Sequence, residues 1–421
     1  MTPVRIGFVP LTDCAVLAVA AEKGFFSRHG VDAALSREVS WANVRDKVAA
    51  GALDGAQMLA GMPIAATAGI DPVARPQVTA LSLDLNGNAI TVSAELWSRM
   101  AAVDPEAMAT RVVTARPLAR VIAENRRRGE PPLRLGMVYP FATHHYELRY
   151  WLAAGGIDPD ADVRLTVVPP PRMVDALGRG AIDGFCVGEP WSSLAVARGL
   201  GRIVITKHEI WNNSPEKVFA VSASFAERHP EIHRAVLRAL IEAAIWTDAP
   251  ENRREVARVL SEEGYVGAPE PVLAAALTGK LHLAPETAAI DHPDFHVFYR
   301  YAATFPWVSH AAWLLLQMLR WGQVSEPLDV LATARSVYRP DLYREAAREL
   351  GIAAPAIDLK SEGIHGEPWT LDVPGGEPIA MGPDLFCDGR SFHPTALVKY
   401  LEESTVSALR VDLGAFAERN S

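Results

Sequence analysis

The chain has 421 residues, a length that predicts two or three domains at roughly 150 residues each. Hydrophobic residues make up 49% of the chain and charged residues 22%, which excludes a mainly disordered protein. The net charge of −9 argues against direct nucleic-acid binding. Three separated cysteines without a CxxC pair exclude a cysteine zinc site and favour a reducing compartment. No apolar run reaches the roughly 18 residues of a membrane-spanning helix, so we expect no membrane insertion.

An internal repeat with an offset of 129 residues sets the predicted architecture. The string VRIGFV at residues 4–9 recurs as LRLGMV at 133–138, and GALDG at 51–55 recurs as GAIDG at 180–184. A third match follows in the same order, where the Gly-Met-Pro string beginning at Gly61 recurs as a Gly-Glu-Pro string that contains Glu189. Three matches in one order indicate a duplicated unit.

Each copy of the repeat predicts the same alternation of short apolar strands and helices. The predicted strands are residues 4–9, 33–39 and 56–59 in the first copy and 133–138, 163–168 and 185–187 in the second, and the first helices are 13–26 and 144–154. Short apolar strands that alternate with helices form parallel sheets covered on both faces. We therefore predict an α/β fold of two lobes with a crevice between them, each lobe a mostly parallel sheet flanked by helices.

The chain is predicted to cross between the lobes twice, at residues 84–92 and 211–221. The predicted division is residues 1–88 with 209–330 for lobe 1, 89–208 for lobe 2, and 331–421 for a C-terminal segment that wraps back on the lobes. Further helices are predicted at 231–246, 253–263, 272–278, 309–321, 395–403 and, as one helix, 328–350. The Pro- and Gly-rich stretch 353–383 is expected to run extended over the surface.

The ends of the predicted strands select the residues that face the crevice, because ligands of parallel α/β sheets lie beyond the carboxyl ends of the strands. The selected positions are Thr12-Asp13 and Thr143-His144 after the first strands, Trp41 and Pro170 after the second, and Gly61 and Glu189 after the third. Helix N-termini at these places direct unpaired N–H groups into the crevice. Such an arrangement favours an anion.

Four side chains add specific chemistry to this predicted anion site. His144 and Asn88 offer hydrogen-bond donors, and Lys217 on the return crossing offers a full positive charge. Trp41 supplies a flat apolar wall with one N–H group. Each residue also has a structural explanation: an isolated tryptophan is more often core, and a histidine at a helix start is usually a cap or a surface residue. An isolated lysine is usually solvated, and Thr12-Asp13 is then a helix cap. Only the convergence of these residues at the strand ends favours anion binding over the structural explanations.

Signatures of enzymes are missing from the sequence. There is no GxSxG, HExxH or GxxxxGK[ST] string, and no GxGxxG string follows a predicted strand. The histidines lack metal-ligand spacing. We therefore expect a binding protein, not an enzyme, without a cofactor or a metal. An enzyme on the same fold stays as an alternative, and it requires a reactive centre that the sequence does not show.

Several long strings resemble the nitrate-binding branch of the substrate-binding proteins of ABC transporters. They include IGFVPLTDC at 6–14 and FCVGEPW at 185–191, and the others are residues 36–41, 45–47, 58–63, 149–157, 167–171, 215–217 and 389–394. The resemblance implies a two-lobed fold like that of the periplasmic binding proteins (type II), with a C-terminal extension.

The resemblance also assigns the anion's contacts. It implies that nitrate or nitrite is held between the lobes by Trp41, His144 and Lys217, and by an amide at Asn88, where the family often has glutamine. The related bicarbonate binders replace the lysine with an acidic residue that ligates calcium. Lys217 therefore favours nitrate or nitrite, and Asn88 leaves the choice between these two anions open.

The position of the first strand favours one subgroup. Transport components usually carry a leader and a linker before this strand, whereas this sequence starts at the strand. We therefore expect a cytoplasmic nitrate/nitrite sensor of the NasS type, which holds an RNA-binding transcription antiterminator (NasT-like) and releases it when the anion binds. The alternative is a periplasmic component of a nitrate ABC transporter whose leader is missing from the sequence.

Overall fold

The computed structural model describes residues 3–420 and shows two lobes, each built on a five-stranded sheet. In chain order the strands are β1 (Val4–Phe8), β2 (Ala33–Arg37), β3 (Gly55–Leu59), β4 (Gln77–Ser82), β5 (Leu85–Asn86), β6 (Asn88–Ser93), β7 (Arg134–Met137), β8 (Arg164–Val167), β9 (Gly184–Gly188), β10 (Gly201–Thr206), β11 (Lys217–Ser222), β12 (Lys280–Leu281), β13 (Ile290–Asp291), β14 (His296–Val297), β15 (Trp369–Leu371) and β16 (Ile379–Met381). Lobe 1 has the strand order β2-β1-β3-β11-β4, and lobe 2 has the order β8-β7-β9-β6-β10.

Both sheets are mixed, with four strands that run one way and one crossing strand that runs the other. β1 is parallel to β2 and β3, and β7 is parallel to β8 and β9. The reversed strand of each sheet arrives from the other lobe: β11 lies antiparallel between β3 and β4, and β6 lies antiparallel between β9 and β10. The predicted two-lobed α/β fold is confirmed, and both crossing strands begin at the boundary between the lobes.

The sequence repeat is also a repeat of structure. β1 pairs with β3 in the register in which β7 pairs with β9, 129 residues later. The repeated aspartates do the same work in each lobe: the backbone N–H of Arg5 donates to Asp54 Oδ2 over 2.9 Å, and that of Arg134 donates to Asp183 Oδ2 over 2.7 Å. The repeated Gly-Ala-Leu/Ile-Asp-Gly turn therefore fixes the start of a strand.

Helices flank both sheets. The α-helices are α1 (Ala15–Glu22), α2 (Phe25–Arg28), α3 (Trp41–Ala49), α4 (Met62–Thr67), α5 (Ala94–Val103), α6 (Pro105–Met108), α7 (Arg116–Arg128), α8 (Thr143–Ala154), α9 (Met173–Gly178), α10 (Trp191–Ala197), α11 (Lys207–Ile210), α12 (Ala223–Arg228), α13 (Pro230–Asp248), α14 (Arg253–Ser261), α15 (Glu270–Thr278), α16 (Val308–Arg320), α17 (Val330–Val337), α18 (Pro340–Glu349), α19 (Leu397–Glu402) and α20 (Leu413–Arg419). Short 3₁₀ turns lie at Thr12–Cys14, Pro170–Arg172 and Pro250–Asn252. No helix within residues 3–420 is long and apolar enough to span a bilayer.

The prediction of one helix over residues 328–350 is wrong, because two helices meet at Pro340. A proline lacks the N–H that continues a helix, and it disfavours helical backbone in the residue before it. Arg339 accordingly leaves the helical region, with φ −114° and ψ 72°. Proline at the first position of the following helix is well tolerated, so α18 begins there.

The C-terminal segment contacts both lobes. The hydroxyl of Tyr338 donates to the carbonyl of Ala60 in lobe 1 over 3.0 Å, and that of Tyr150 in lobe 2 donates to Asp388 Oδ1 over 2.7 Å. The stretch 353–383, which we expected to be extended, contains the β15–β16 hairpin, whose Leu371 joins the core of lobe 1. The predicted domain division itself stays a prediction, since residues 280–292 of the segment assigned to lobe 1 also touch lobe 2.

Candidate functional site

The two lobes are in direct contact at the ends of their strands. The backbone N–H and the hydroxyl of Thr12 both donate to the carbonyl of Glu189, over 2.8 and 3.1 Å. Gly61 lies against the opposite lobe so closely that a Cβ there would stand 2.4 Å from the carbonyl oxygen of Phe141. Gly61 therefore acts by leaving room for the other lobe. Gly61 and Glu189, which the sequence predicts at the ends of the third strands, therefore lie where the two lobes touch.

Trp41 and Pro170 lie on the same cleft between the lobes, as the repeat predicts. Ser40 caps α3, because its hydroxyl accepts the N–H of Asn43 over 3.2 Å, and Trp41 is the first residue of that helix. The indole is buried, with Tyr139 and Pro170 on the facing wall of the cleft. Trp41 thus has a defined position at the boundary between the lobes.

Lys217 is fully buried, but it is not the isolated cation that the sequence predicts. Its Nζ lies 2.7 Å from Asp13 Oδ2 and 2.6 Å from Glu216 Oε1, with its exposed fraction at 0%. A bare ammonium in this place would cost several kcal/mol, and the two carboxylates offset that cost. The ammonium has three N–H donors, of which these contacts use two. The Trp41 ring lies on the same side of the cluster, its centroid 5.6 Å from Nζ.

Asp13 acts as a partner of Lys217, and the alternative explanation of Thr12-Asp13 as a cap of the first helix does not hold. Neither α1 nor the 3₁₀ turn before it has a side-chain cap. Gln57 of β3 holds Asp13 in place, because its Oε1 accepts the N–H of Val9 over 2.9 Å and its Nε2 donates to Asp13 Oδ1. The carboxylate is therefore aimed along the end of the sheet at Lys217.

Glu216 connects the two lobes through one carboxylate. It receives Lys217 and the Nδ1 of His144, 2.6 Å away, on Oε1, and Lys207 Nζ on Oε2 over 2.5 Å. Lys207 also lies 3.6 Å from Glu147. Sequence reasoning missed Glu216, Lys207 and Glu147 as site residues. The sequence could have indicated Glu216, since it directly precedes Lys217. Lys207 and Glu147 reach the site only through the fold.

Burial and the neighbouring lysines shift the pKa values of the buried carboxyl groups in opposite directions. Desolvation raises the pKa of Asp13 to about 6 against the attraction of Lys217, that of Asp84 to about 7 and that of Glu147 to about 8. Burial also raises the pKa of Glu189 to about 7. Glu216 is the exception: burial acts to raise its pKa, but Lys207 and Lys217 hold it well below the ordinary value. Glu216 is therefore the permanent anion of the cluster.

Buried polar atoms without a partner surround this cluster. Trp41 Nε1, both polar atoms of the Asn88 amide, and His144 Nε2 make no hydrogen bond within residues 3–420. Asn88 begins β6 opposite Gly188, where a Cβ would stand 2.9 Å from Asn88 Oδ1 and 3.1 Å from Asp13 Oδ2. Buried polar atoms are normally paired, so this concentration points to a polar ligand that contacts several of them. The structure thus brings together Trp41, Asn88, His144 and Lys217.

Comparison with known proteins agrees with this architecture. A model of the NMT1-like family matches residues 1–261. The nitrate import ATP-binding protein NrtC of Synechocystis sp. is 40% identical over 348 residues, which cover 82% of this chain and 50% of that protein, so the chain spans half of its length. The nitrate/nitrite binding protein NrtA of Nostoc sp. is 31% identical over 95% of this chain and 85% of its own length.

A solved structure shows the same fold along nearly the whole chain. The crystal structure of the periplasmic nitrate-binding protein NrtA from Synechocystis PCC 6803 superposes with a TM-score of 0.84 at 29% identity, covering 96% of this chain and 99% of that one. The relatives named as nitrate-binding are binding proteins, which is consistent with the absence of enzyme signatures from this sequence. The chain belongs to the NMT1-like family, and within it to the NrtA-like substrate-binding proteins.

Proposed function

We propose that this protein binds nitrate or nitrite between its two lobes. The observation that carries the proposal is the set of buried, unpaired polar atoms at the lobe boundary: Trp41 Nε1, the Asn88 amide and His144 Nε2. A planar, singly charged and weakly basic oxyanion needs donors from several directions, and a closed cleft supplies them. The names of the NrtA relatives, which specify nitrate and nitrite, support this ligand class.

The charge at position 217 favours these anions over a ligand that needs a metal ion. The ammonium of Lys217 lies between the carboxylates of Asp13 and Glu216, at the point where a bound cation would otherwise balance them. Within residues 3–420 no group of three or more histidine, cysteine, aspartate or glutamate side chains has a geometry suited to a metal. The lysine itself supplies the positive charge that balances these two carboxylates.

Isothermal titration calorimetry with potassium nitrate and nitrite tests the ligand. Lys217→Ala is expected to weaken binding more than tenfold, since charge-assisted hydrogen bonds contribute roughly 1.5–3 kcal/mol each. Lys217→Glu is expected to abolish it. Lys23→Ala is the control, because Lys23 forms an exposed pair with Glu255 far from the cleft. Wild-type affinity in both Lys217 variants would contradict the assigned site.

The proposal extends to a signalling role in the cytoplasm. A cleft that needs both lobes to complete its donors is a two-state element, which an anion biases towards closure. We propose that closure releases an RNA-binding antiterminator protein of the NasT type.

A pull-down from bacterial cytosol tests the sensor role. The tagged protein is expected to retain the antiterminator without added anion and to release it in saturating nitrate. Lys217→Ala is expected to retain it under both conditions. Unchanged retention by the wild-type protein in saturating nitrate would contradict the switch.

The second candidate is a component of nitrate transport. The similarity to periplasmic NrtA along nearly the whole chain favours it. Fractionation of cells that express the native gene separates the two functions. Recovery with the periplasmic fraction would support transport, and recovery with the cytosol would support the sensor.

A further inference from the structure

The geometry fixes the tautomer of His144. Its Nδ1 lies 2.6 Å from Glu216 Oε1, and the pKa of Glu216 is held well below its ordinary value by Lys207 and Lys217, which outweigh burial. A nitrogen lone pair does not approach a carboxylate oxygen this closely without a proton between them. The N–H therefore sits on Nδ1 and donates to Glu216. Neutral His144 consequently presents the lone pair of Nε2 to the lobe boundary.

This tautomer is the wrong one for a nitrate or nitrite ion. The oxygens of both anions are acceptors, and His144 Nε2 makes no hydrogen bond within residues 3–420. An acceptor that faces an anion repels it. An imidazolium, in contrast, donates from both nitrogens, one to Glu216 and one to the ligand.

The surrounding charges lead to the same requirement. Lys217 is already paired with Asp13 and Glu216, and Lys207 is paired with Glu216 and donates to the carbonyl of Pro215 over 2.6 Å. An anion that enters this buried place therefore meets cations whose charge is already balanced. A new positive charge at His144 would balance the charge of the incoming ion.

We propose that the site takes up its anion together with one proton, which resides on Nε2 of His144, between the imidazole ring and the anion. The inference rests on the proposed function. No bond other than the N–H forms, and the proton comes from solvent, because nitrate is the conjugate base of a strong acid and brings none. His144 is thus a residue that switches from acceptor to donor when the ligand arrives.

The direction of the pH dependence follows. In the anion-free protein burial lowers the pKa of His144, although Glu216 acts to raise it, and a bound anion raises this pKa. Affinity is therefore highest below the pKa of the free state and falls as pH rises from there to the pKa of the bound state. The charged groups that face His144 are Glu216, Lys217, Lys207 and, through Lys217, Asp13. The charged and titratable groups that share its helix are His145, Tyr146, Glu147, Arg149 and Tyr150.

Calorimetry with potassium nitrate in two buffers of different ionisation enthalpy measures the proton uptake directly. The expected result at pH 7.5 is about one proton per nitrate, with affinity falling about tenfold per pH unit in the coupled range. His145→Gln, at the neighbouring histidine bonded to Pro140 and Arg149, is expected to keep the uptake, and His144→Gln, which does not titrate, is expected to lose both the uptake and the slope. Uptake that persists in His144→Gln, or that is lost in His145→Gln, would overturn the assignment to His144.

Nitrogen-15 NMR of the wild-type protein labelled at histidine tests the protonation of His144 without a variant that could fail to fold. The His144 signals are expected to change from a neutral ring to an imidazolium when nitrate is added at pH 7.5, while those of His145, which is bonded to Pro140 and Arg149, stay neutral. Nitrate binding with a neutral His144 ring would overturn the inference alone. An absence of nitrate binding from pH 5.5 to 8.5 would overturn the proposed function as well.

Discussion

The two lobes share one scaffold but present different chemistry at their boundary. After the first strand, lobe 1 places the carboxylate of Asp13 and lobe 2 the imidazole of His144. After the second strand, lobe 1 places the indole of Trp41 and lobe 2 the ring of Pro170. The duplicated backbone determines where these side chains stand, and their divergence makes the boundary into a site with two unlike walls.

One strand joins the two chemistries. β11 returns from lobe 2 into the sheet of lobe 1 and brings Lys217 to Asp13, while Glu216, directly before it, reaches His144 across the boundary. Glu216 and Lys217, which join the two unlike walls, therefore lie outside both copies of the repeat. Four variants test this charge network and the wall that Trp41 forms.

Lys217→Met is expected to produce the largest effect. It leaves Asp13 buried without its cation and removes one of the cations at Glu216, and breaking a buried pair in this way typically costs about 3–5 kcal/mol of unfolding free energy. Urea denaturation measures the loss. The exposed pair of Lys23 with Glu255 is the control, where Lys23→Met is expected to cost at most about 1 kcal/mol. Equal losses would contradict the importance of the buried network.

Glu147→Gln is expected to change how stability depends on pH. The folded protein holds the pKa of Glu147 at about 8, above its ordinary value of 4.5, because the side chain is buried. The folded state therefore binds more protons than the unfolded state between these values, and this group makes the protein less stable as pH rises. Between pH 5 and 8.5 the variant is expected to gain about 2–4 kcal/mol relative to wild type in urea denaturation.

The matched control for this series is Glu227→Gln on the exposed part of α12. Its stability difference from the wild type is expected to stay constant across the same pH range. A constant difference for Glu147→Gln as well would show that Glu147 is ionised in the folded protein at pH 7.

Trp41→Phe is expected to weaken nitrate binding about tenfold while unfolding changes less. The substitution keeps an aromatic wall but removes Nε1, which we assign as a donor to the anion, and hydrogen bonds to charged groups contribute roughly 1.5–3 kcal/mol. Nitrate titration by calorimetry gives the affinity. Trp97→Phe in lobe 2, on α5, serves as control and is expected to bind nitrate like the wild type. Unchanged nitrate affinity in Trp41→Phe would contradict the assignment of Nε1 as a donor to the anion.

Ser40→Ala is expected to give the smallest effect. The serine caps α3, and removing such a cap typically costs about 1 kcal/mol of stability. Ser93→Ala removes an equivalent cap from α5 and is expected to cost the same. Only Ser40→Ala should also weaken nitrate binding, by about threefold, because only α3 carries Trp41. Identical binding in both variants would show that Trp41 does not depend on its cap.

The sequence was sufficient to predict the scaffold and the places of the candidate site residues. The repeat predicts both sheets, and the strand ends predict where Trp41 and His144 stand, because the topology of an α/β sheet places those ends together. The return crossing predicts the place of Lys217. Pro340 also carried a signal that residues 328–350 form two helices, which the periodicity of the surrounding residues obscured.

The charge network could not be predicted from the sequence, for a physical reason. An ion pair such as Lys207 with Glu147 depends on distances set by how the helices pack in the folded protein, not on spacing along the chain. The expectation of an isolated Lys217 failed for the same reason. The antiterminator partner and the cellular compartment stay predictions, since they depend on molecules other than this chain.

A crystal structure grown with nitrate tests the central claim most directly. The account predicts one planar anion between the closed lobes, within hydrogen-bond distance of Trp41 Nε1, Asn88 Nδ2, His144 Nε2 and Lys217 Nζ. A structure with nitrate at saturating concentration and no anion in contact with these four atoms would contradict it.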